Sequence, residues 1–168
     1  MNLLKRIASS FRKKSRMSSV SVYRRSGSFF VVTQHGSDGS DPCIVAGPLE
    51  ELPLAASHEE LGAAIFRGLS RTTHSYPYPA NQQEWKQVSA PLLSATKCKS
   101  WSAFAKLASD LRVDQLDGNV TVQPSIRGLK NAFSPLPERK RQLEAPTAVQ
   151  LGSLVAAELE FASRRDDA

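Results

Sequence analysis

Ser57-His58-Glu59-Glu60-Leu61-Gly62 and Thr147-Ala148-Val149-Gln150-Leu151-Gly152 decide how this chain folds. Both have the form S/T-x-x-E/Q-L-G. Each is a capping box: the hydroxyl accepts from the third helical N–H, and the Glu or Gln side chain reaches back to the N–H of the cap. Behind each box the apolar residues recur at helical spacing. Leu61, Ala64, Ile65 and Leu69 make one stripe; Leu151, Leu154, Val155 and Leu159 make the other. The matched positions lie 90 residues apart, so box, Leu-Gly and stripe together predict an internal repeat.

Working outward, each helix is preceded by a strand pair. In the second half, residues 112–116 and 119–123 alternate polar and apolar side chains around Asp117-Gly118, a two-residue hairpin turn. In the first half, residues 28–34 and 43–46 flank a longer Gly/Ser/Asp loop at 35–41. Pro48 and Pro124 are expected to end the second strand of each pair. Residues 20–23 read as an extra strand, and Trp101, Phe104, Ala105, Ala108 and Leu111 as a short helix entering the second half. The stretch 73–96, with Tyr76-Pro77-Tyr78-Pro79 and Pro91, reads as a connector that Trp85 anchors to the body. The predicted fold is α+β: one domain, a mainly antiparallel sheet, helices packed on it, and two ββα-like halves at about 19–75 and 98–165.

At 168 residues, one domain can bury a core without disulfides or metals. No apolar run has the length needed to cross a bilayer. The net charge of +6 is unevenly placed. Six of the 22 basic residues lie in 1–18, where there is no acid, which leaves 16 against 16 in the body. That basic segment reads as a disordered tail, or as sequence ahead of a true start at Met17. It is not a secretory signal, because charges interrupt every candidate apolar core. Between Arg25 and Arg67 there is no Lys or Arg, while Asp38, Asp41, Glu50, Glu51, Glu59 and Glu60 all fall there. Such a segment is either a solvated edge, with Glu59 and Glu60 placed by the helix dipole, or a surface for a basic partner.

No catalytic constellation emerges. His35, His58 and His74 lie in expected loops or at a helix start and form no HxxxH or HExxH spacing. There is no GxSxG elbow, P-loop or GxGxxG. The loop Asp38-Gly39-Ser40-Asp41 lacks the remaining ligands of a Ca²⁺ loop. Cys43 and Cys98 have no metal spacing and read as reduced and packed. The expectation is no enzyme, no cofactor and no metal. Arg139-Lys140-Arg141 is expected in a solvated loop.

One order of features carries a resemblance. Lys99-Ser100-Trp101-Ser102-Ala103-Phe104-Ala105-Lys106 leads into a Val-rich strand pair ending Gln123-Pro124. Then come Gly128, Ala132-Phe133, Leu143 and the Leu151-Gly152 helix. Over about 19–165 this resembles the immunity proteins of contact-dependent growth inhibition. The resemblance implies a cytoplasmic inhibitor that binds the C-terminal toxin domain of a delivered effector, commonly a nuclease and often one cutting tRNA. It carries no catalytic residue and no binding motif, and the basic tail departs from it. A toxin of that kind must be basic to hold phosphates. The acidic segment, Asp38, Asp41, Glu50, Glu51, Glu59 and Glu60, is therefore the expected toxin-binding surface. Neither a membrane nor direct nucleic-acid binding is expected. The alternative is a nucleic-acid-binding module that uses the basic tail.

Overall fold

A computed structural model describes residues 15–128 and 132–166. The basic tail through Lys14 lies outside the described residues. Among the described residues, seven strands and four α-helices follow in order: β1 (Ser18–Arg25), β2 (Ser28–His35), β3 (Ile44–Pro53), α1 (His58–Ser70), α2 (Gln82–Ala95), α3 (Trp101–Ala105), β4 (Ser109–Leu116), β5 (Asn119–Arg127), β6 (Phe133–Pro135), β7 (Arg141–Glu144) and α4 (Ala148–Asp166). The strands form one antiparallel sheet in the order β3-β2-β1-β4-β5-β6, with β7 also paired to β5.

The repeat is real and one strand longer than the sequence suggests. Val20–Tyr23 is no extra strand but the middle of β1, whose counterpart is β4. The two pair at the centre of the sheet, Val20 opposite Val113 and Val22 opposite Leu111. The hairpin turn Asp117-Gly118, with φ of 52° and 81°, has its twin in Ser26-Gly27, with φ of 52° and 84°. Both positions of each turn need positive φ, as type I′ hairpins require. β3 on one flank is then matched by the broken pair β6 and β7 on the other. Each half is β-β-β-α.

Both capping boxes form. Ser57 Oγ accepts from Glu60 N at 3.2 Å while Ser57 N donates to Glu60 Oε2 at 2.7 Å. Thr147 Oγ1 accepts from Gln150 N at 3.3 Å while Thr147 N donates to Gln150 Oε1 at 2.9 Å. Their stripes meet in one core: Leu61, Ala64, Ile65 and Leu69 with Leu151, Val155 and Leu159, against Val20, Val22, Phe29, Val31, Leu111, Val113, Val120 and Val122. The Leu-Gly of each box marks where the helices cross. A Cβ on Gly62 would sit 1.9 Å from Ala148 O, and one on Gly152 would sit 1.8 Å from His58 O. The glycines are thus the contact itself and let the two backbones touch.

The other face of the sheet carries a second core of Tyr23, Phe30, Val32, Leu92, Phe104 and Ala108. Leu92 comes from α2, so 73–96 is not a mere connector: Gln82–Ala95 is a helix, capped by Asn81 Oδ1 accepting from Glu84 N at 3.0 Å. Trp85 stays 40% exposed and packs edge-on against Tyr78 instead of anchoring the segment in the body. The helix at 101 ends at Ala105, and Leu111 belongs to β4, facing the α1/α4 core.

Neither proline ends its strand. Pro48 falls where the β2–β3 register shifts between Val32 and Gln34. At a bulge on an edge strand, no ladder donor is missed. Pro124 stands inside β5 opposite Leu111. Its carbonyl accepts from Leu136 N at 2.9 Å, so its polar backbone edge points away from β4. The absent N–H breaks no bond to β4.

Candidate functional site

The structure distributes the six acidic candidates over the length of β3 and does not gather them. Asp38 and Asp41 are exposed on the β2–β3 loop, Asp38 with φ of 50°. Glu50 and Glu51 lie near the far end of β3, Glu59 and Glu60 in the first turn of α1. Loop and strand end are separated by roughly 30 Å at about 3.3 Å per residue. Glu50 is already neutralised. Arg67 Nη2 reaches it at 2.7 Å and Arg71 Nη1 at 2.8 Å, and the Arg67 bond leads in holding its carboxyl below the ordinary range. Glu51 accepts from Ser28 Oγ at 2.9 Å on the opposite face. Glu60 is bound within its capping box, which lowers its pKa through the Ser57 N–H. Asp38, Asp41, Glu51, Glu59 and Glu60 therefore carry the negative surface. The cations that quench Glu50 begin one residue past the acidic run and fold back on it from α1.

His35 is not in a loop. It is the last residue of β2, 5% exposed, and stacks on Tyr76 with ring centroids 5.0 Å apart. Thr73 N donates to its Nδ1 at 3.2 Å, so Nε2 carries the proton and donates to Gly47 O. The imidazole ties β2, β3 and the chain after α1 together, a structural task. Arg139 and Arg141 are likewise committed: Arg139 Nη2 lies 2.8 Å and Arg141 Nε 3.7 Å from Glu158, whose side chain is 4% exposed. Cys43 is exposed and Cys98 half-buried, both free, so only the second is packed. They flank a cleft of about 870 Å³ between α2, α3 and β3, with Trp85, Trp101 and Leu93 on its walls. Among the described residues, no three His, Cys, Asp or Glu side chains lie close enough to hold a metal. No helix among them is long and apolar enough to cross a membrane.

Two solved structures share this fold. A protein of unknown function from Neisseria meningitidis superposes with a TM-score of 0.68, is 19% identical, and spans 89% of this chain and 95% of its own. A chain of the CdiA-CT/CdiI toxin and immunity complex from Yersinia pseudotuberculosis has a TM-score of 0.68 at 14% identity, spanning 86% of this chain and 97% of its own. At these identities the likeness establishes a common fold. No family model and no curated protein matches.

The most perturbed groups lie in the second core. Burial pushes the Asp110 carboxyl up to about 6, against bonds from Ser125 and Leu111 N and the nearby Arg112. The Tyr23 hydroxyl is driven up by burial first and by Asp110 second. Because folding raises the Asp110 pKa above its unfolded 3.8, the folded chain holds this proton more tightly. The stability it contributes is full below about pH 4 and is lost as pH rises to about 6. Asp110→Asn keeps the shape and cannot ionise. It is expected to stabilise the chain by about 1–2 kcal/mol at neutral pH and to have little effect near pH 4. Thermal melts across that range check the sign; a variant that is destabilised equally at both pH values contradicts it.

Proposed function

We propose that this chain is an immunity protein: it binds and neutralises the C-terminal toxin domain of a contact-dependent growth inhibition effector in the cytoplasm, and is not itself an enzyme. The observation that carries the reading is the likeness, across 86% of the chain, to a chain of a toxin and immunity complex. The sequence order around Trp101, Gln123-Pro124 and Leu151-Gly152 supports it independently.

The toxin is read as a basic nuclease, with tRNA among the candidate targets, and the mechanism as occlusion. Carboxylates stand where substrate phosphates would lie, while the body covers the cleft. Asp38, Asp41, Glu51, Glu59 and Glu60 are the surface proposed for this, without Glu50, whose charge Arg67 and Arg71 cancel. The exposed side chains of 38–41 can change without disturbing the sheet, which suits a fold whose partners differ.

The test is capture of the toxin domain encoded directly upstream of this chain's gene, followed by protection of cells expressing it. Failure to bind that domain overturns the reading. Asp38→Lys, Asp41→Lys and Glu51→Lys combined are expected to slow association about tenfold at low ionic strength and much less at high salt, because steering decays over a Debye length of about 8 Å at physiological salt. Stopped-flow association rates measure this. An unchanged rate constant in a folded variant places the interface elsewhere.

A further inference from the structure

We propose that the end of the sheet opposite the Asp38–Asp41 loop binds a small anion carrying a phosphate group. A cleft of about 310 Å³ opens there between the β1–β2 turn, the chain leading from α3 into β4, the end of β5 and the last turn of α4. Three separate segments bring four cations to it: Arg24 and Arg25, Lys106, and Arg127, with the hydroxyls of Ser109 and Ser163 between them. Among the described residues that line it, none is acidic.

The guanidiniums of Arg24 and Arg25 are held in place by groups that leave their charge intact. Arg25 Nε donates to Phe104 O at 3.2 Å and its Nη1 to Thr96 O at 3.3 Å, with the guanidinium 5.8 Å from the Phe104 ring centroid. Arg24 Nη1 donates to Ser163 Oγ at 3.4 Å, and Arg127 Nη1 donates to Lys106 O. Carbonyls and hydroxyls orient an arginine without neutralising it. Among the described residues, Arg24, Arg25 and Lys106 have no carboxylate in ion-pair range. The nearest acid in sequence, Asp110, is 8% exposed and bonded to Ser125.

Like charges that line one cleft repel, and a bound anion reduces that cost. Arginine forks match tetrahedral phosphate oxygens, and several cations at once favour a dianion over a single carboxylate. The volume is at the lower end of ligand sites, roughly 300–1,000 Å³, which fits a ligand no larger than a mononucleotide. This site needs no toxin, so its test is independent of the immunity reading.

Titration of the full chain with inorganic pyrophosphate at low ionic strength, followed by calorimetry, is expected to give saturable one-to-one binding. Arg24→Gln with Lys106→Gln should weaken it at least about tenfold. Lys86→Gln with Lys99→Gln, on the other cleft, should leave it unchanged. Saturating pyrophosphate should also shield Lys106, and not Lys99, from an amine-acylating reagent on the unaltered chain, read by mass spectrometry. Absence of saturable binding, equal weakening by both variant pairs, equal binding of citrate, or no protection of Lys106 overturns the assignment.

Discussion

Replacing Gly152 by alanine is expected to lower the melting temperature by roughly 10 °C, a loss of about 3 kcal/mol. Two effects oppose each other at this position. Helix propensity alone favours alanine over glycine by about 1 kcal/mol, because glycine leaves more backbone freedom in the unfolded chain. Against that, the new Cβ would stand 1.8 Å from His58 O, 2.7 Å from His58 C and 2.9 Å from Gly62 N. All three are backbone atoms, so no side-chain rotation relieves the clash. The helices must move apart, and the packed layer of Leu61, Ile65, Leu151 and Val155 between them opens. Strain and lost packing therefore outweigh propensity. Gly62→Ala meets Ala148 O at 1.9 Å and should cost a similar amount. The double variant should cost clearly less than the sum, because one separation of α1 from α4 accommodates both methyl groups. Thermal and urea unfolding of the two single variants and the double measure this. A Gly152→Ala variant as stable as the parent would show that propensity wins and that the helices do not cross in contact.

That crossing shows which parts of the fold the sequence made legible. Capping is a local matter of hydroxyl, N–H and a side chain three residues on, and both boxes form as read. The stripes behind them share one core, because apolar residues at helical spacing have only the sheet and each other to bury against. What the glycine after each leucine does was not legible. A close approach of two helices 90 residues apart in sequence leaves no mark except the glycine itself. Hairpins divided in the same way. Asp117-Gly118 announces its turn, whereas Ser26-Gly27 makes the same turn and pairs β1 with β2 although serine is a weaker signal for positive φ. In 73–96 the prolines outweighed a helix start. Asn81 followed three residues later by Glu84 is a cap signal, and it forms, with Ala80 N donating to Glu84 Oε2 at 2.7 Å.

The charged features were harder to read, and for one reason: charge along a sequence is not charge on a surface. The acidic run from Asp38 to Glu60 is correct as composition. Arg67 on α1 and Arg71 at its C-cap stand four residues apart, so their shared face is visible in the sequence. That this face looks at Glu50 depends on how α1 lies across the sheet. The basic cleft is the same case in reverse, since apart from the pair Arg24-Arg25 its cations are scattered along the chain and become neighbours only when β1, β5 and the α3–β4 segment end at one edge.

Glu158 is the clearest example, and Glu158→Ala is expected to cost about 2–3 kcal/mol, roughly 5–10 °C in melting temperature. Arg139-Lys140-Arg141 looks like a solvated basic run. In the fold, Arg139 makes a two-pronged bond to Glu158, Nε to Oε2 at 3.0 Å and Nη2 to Oε1 at 2.8 Å, with its guanidinium 4.1 Å from the centroid of the Phe161 ring. The carboxylate is 4% exposed, so its burial is tolerable only with these donors in place. Removing it strands Arg139 against an apolar ring and leaves a gap beside Leu159 and Ala162. The cost stays below that of a fully buried pair because the Arg139 side chain is 29% exposed and regains some water. Arg141 is 46% exposed and 3.7 Å away, so Arg141→Ala should cost well under about 1 kcal/mol. The bidentate pair joins the 3-10 turn Pro137–Arg139 to α4 and so fixes β6 and β7, the short strands that stand in for β3 at this edge. Amide exchange in 133–144 should therefore accelerate in Glu158→Ala while the β1–β4 centre stays protected. If Arg141→Ala costs as much as Glu158→Ala, or if exchange rises uniformly across the sheet, the edge is held by something other than this pair.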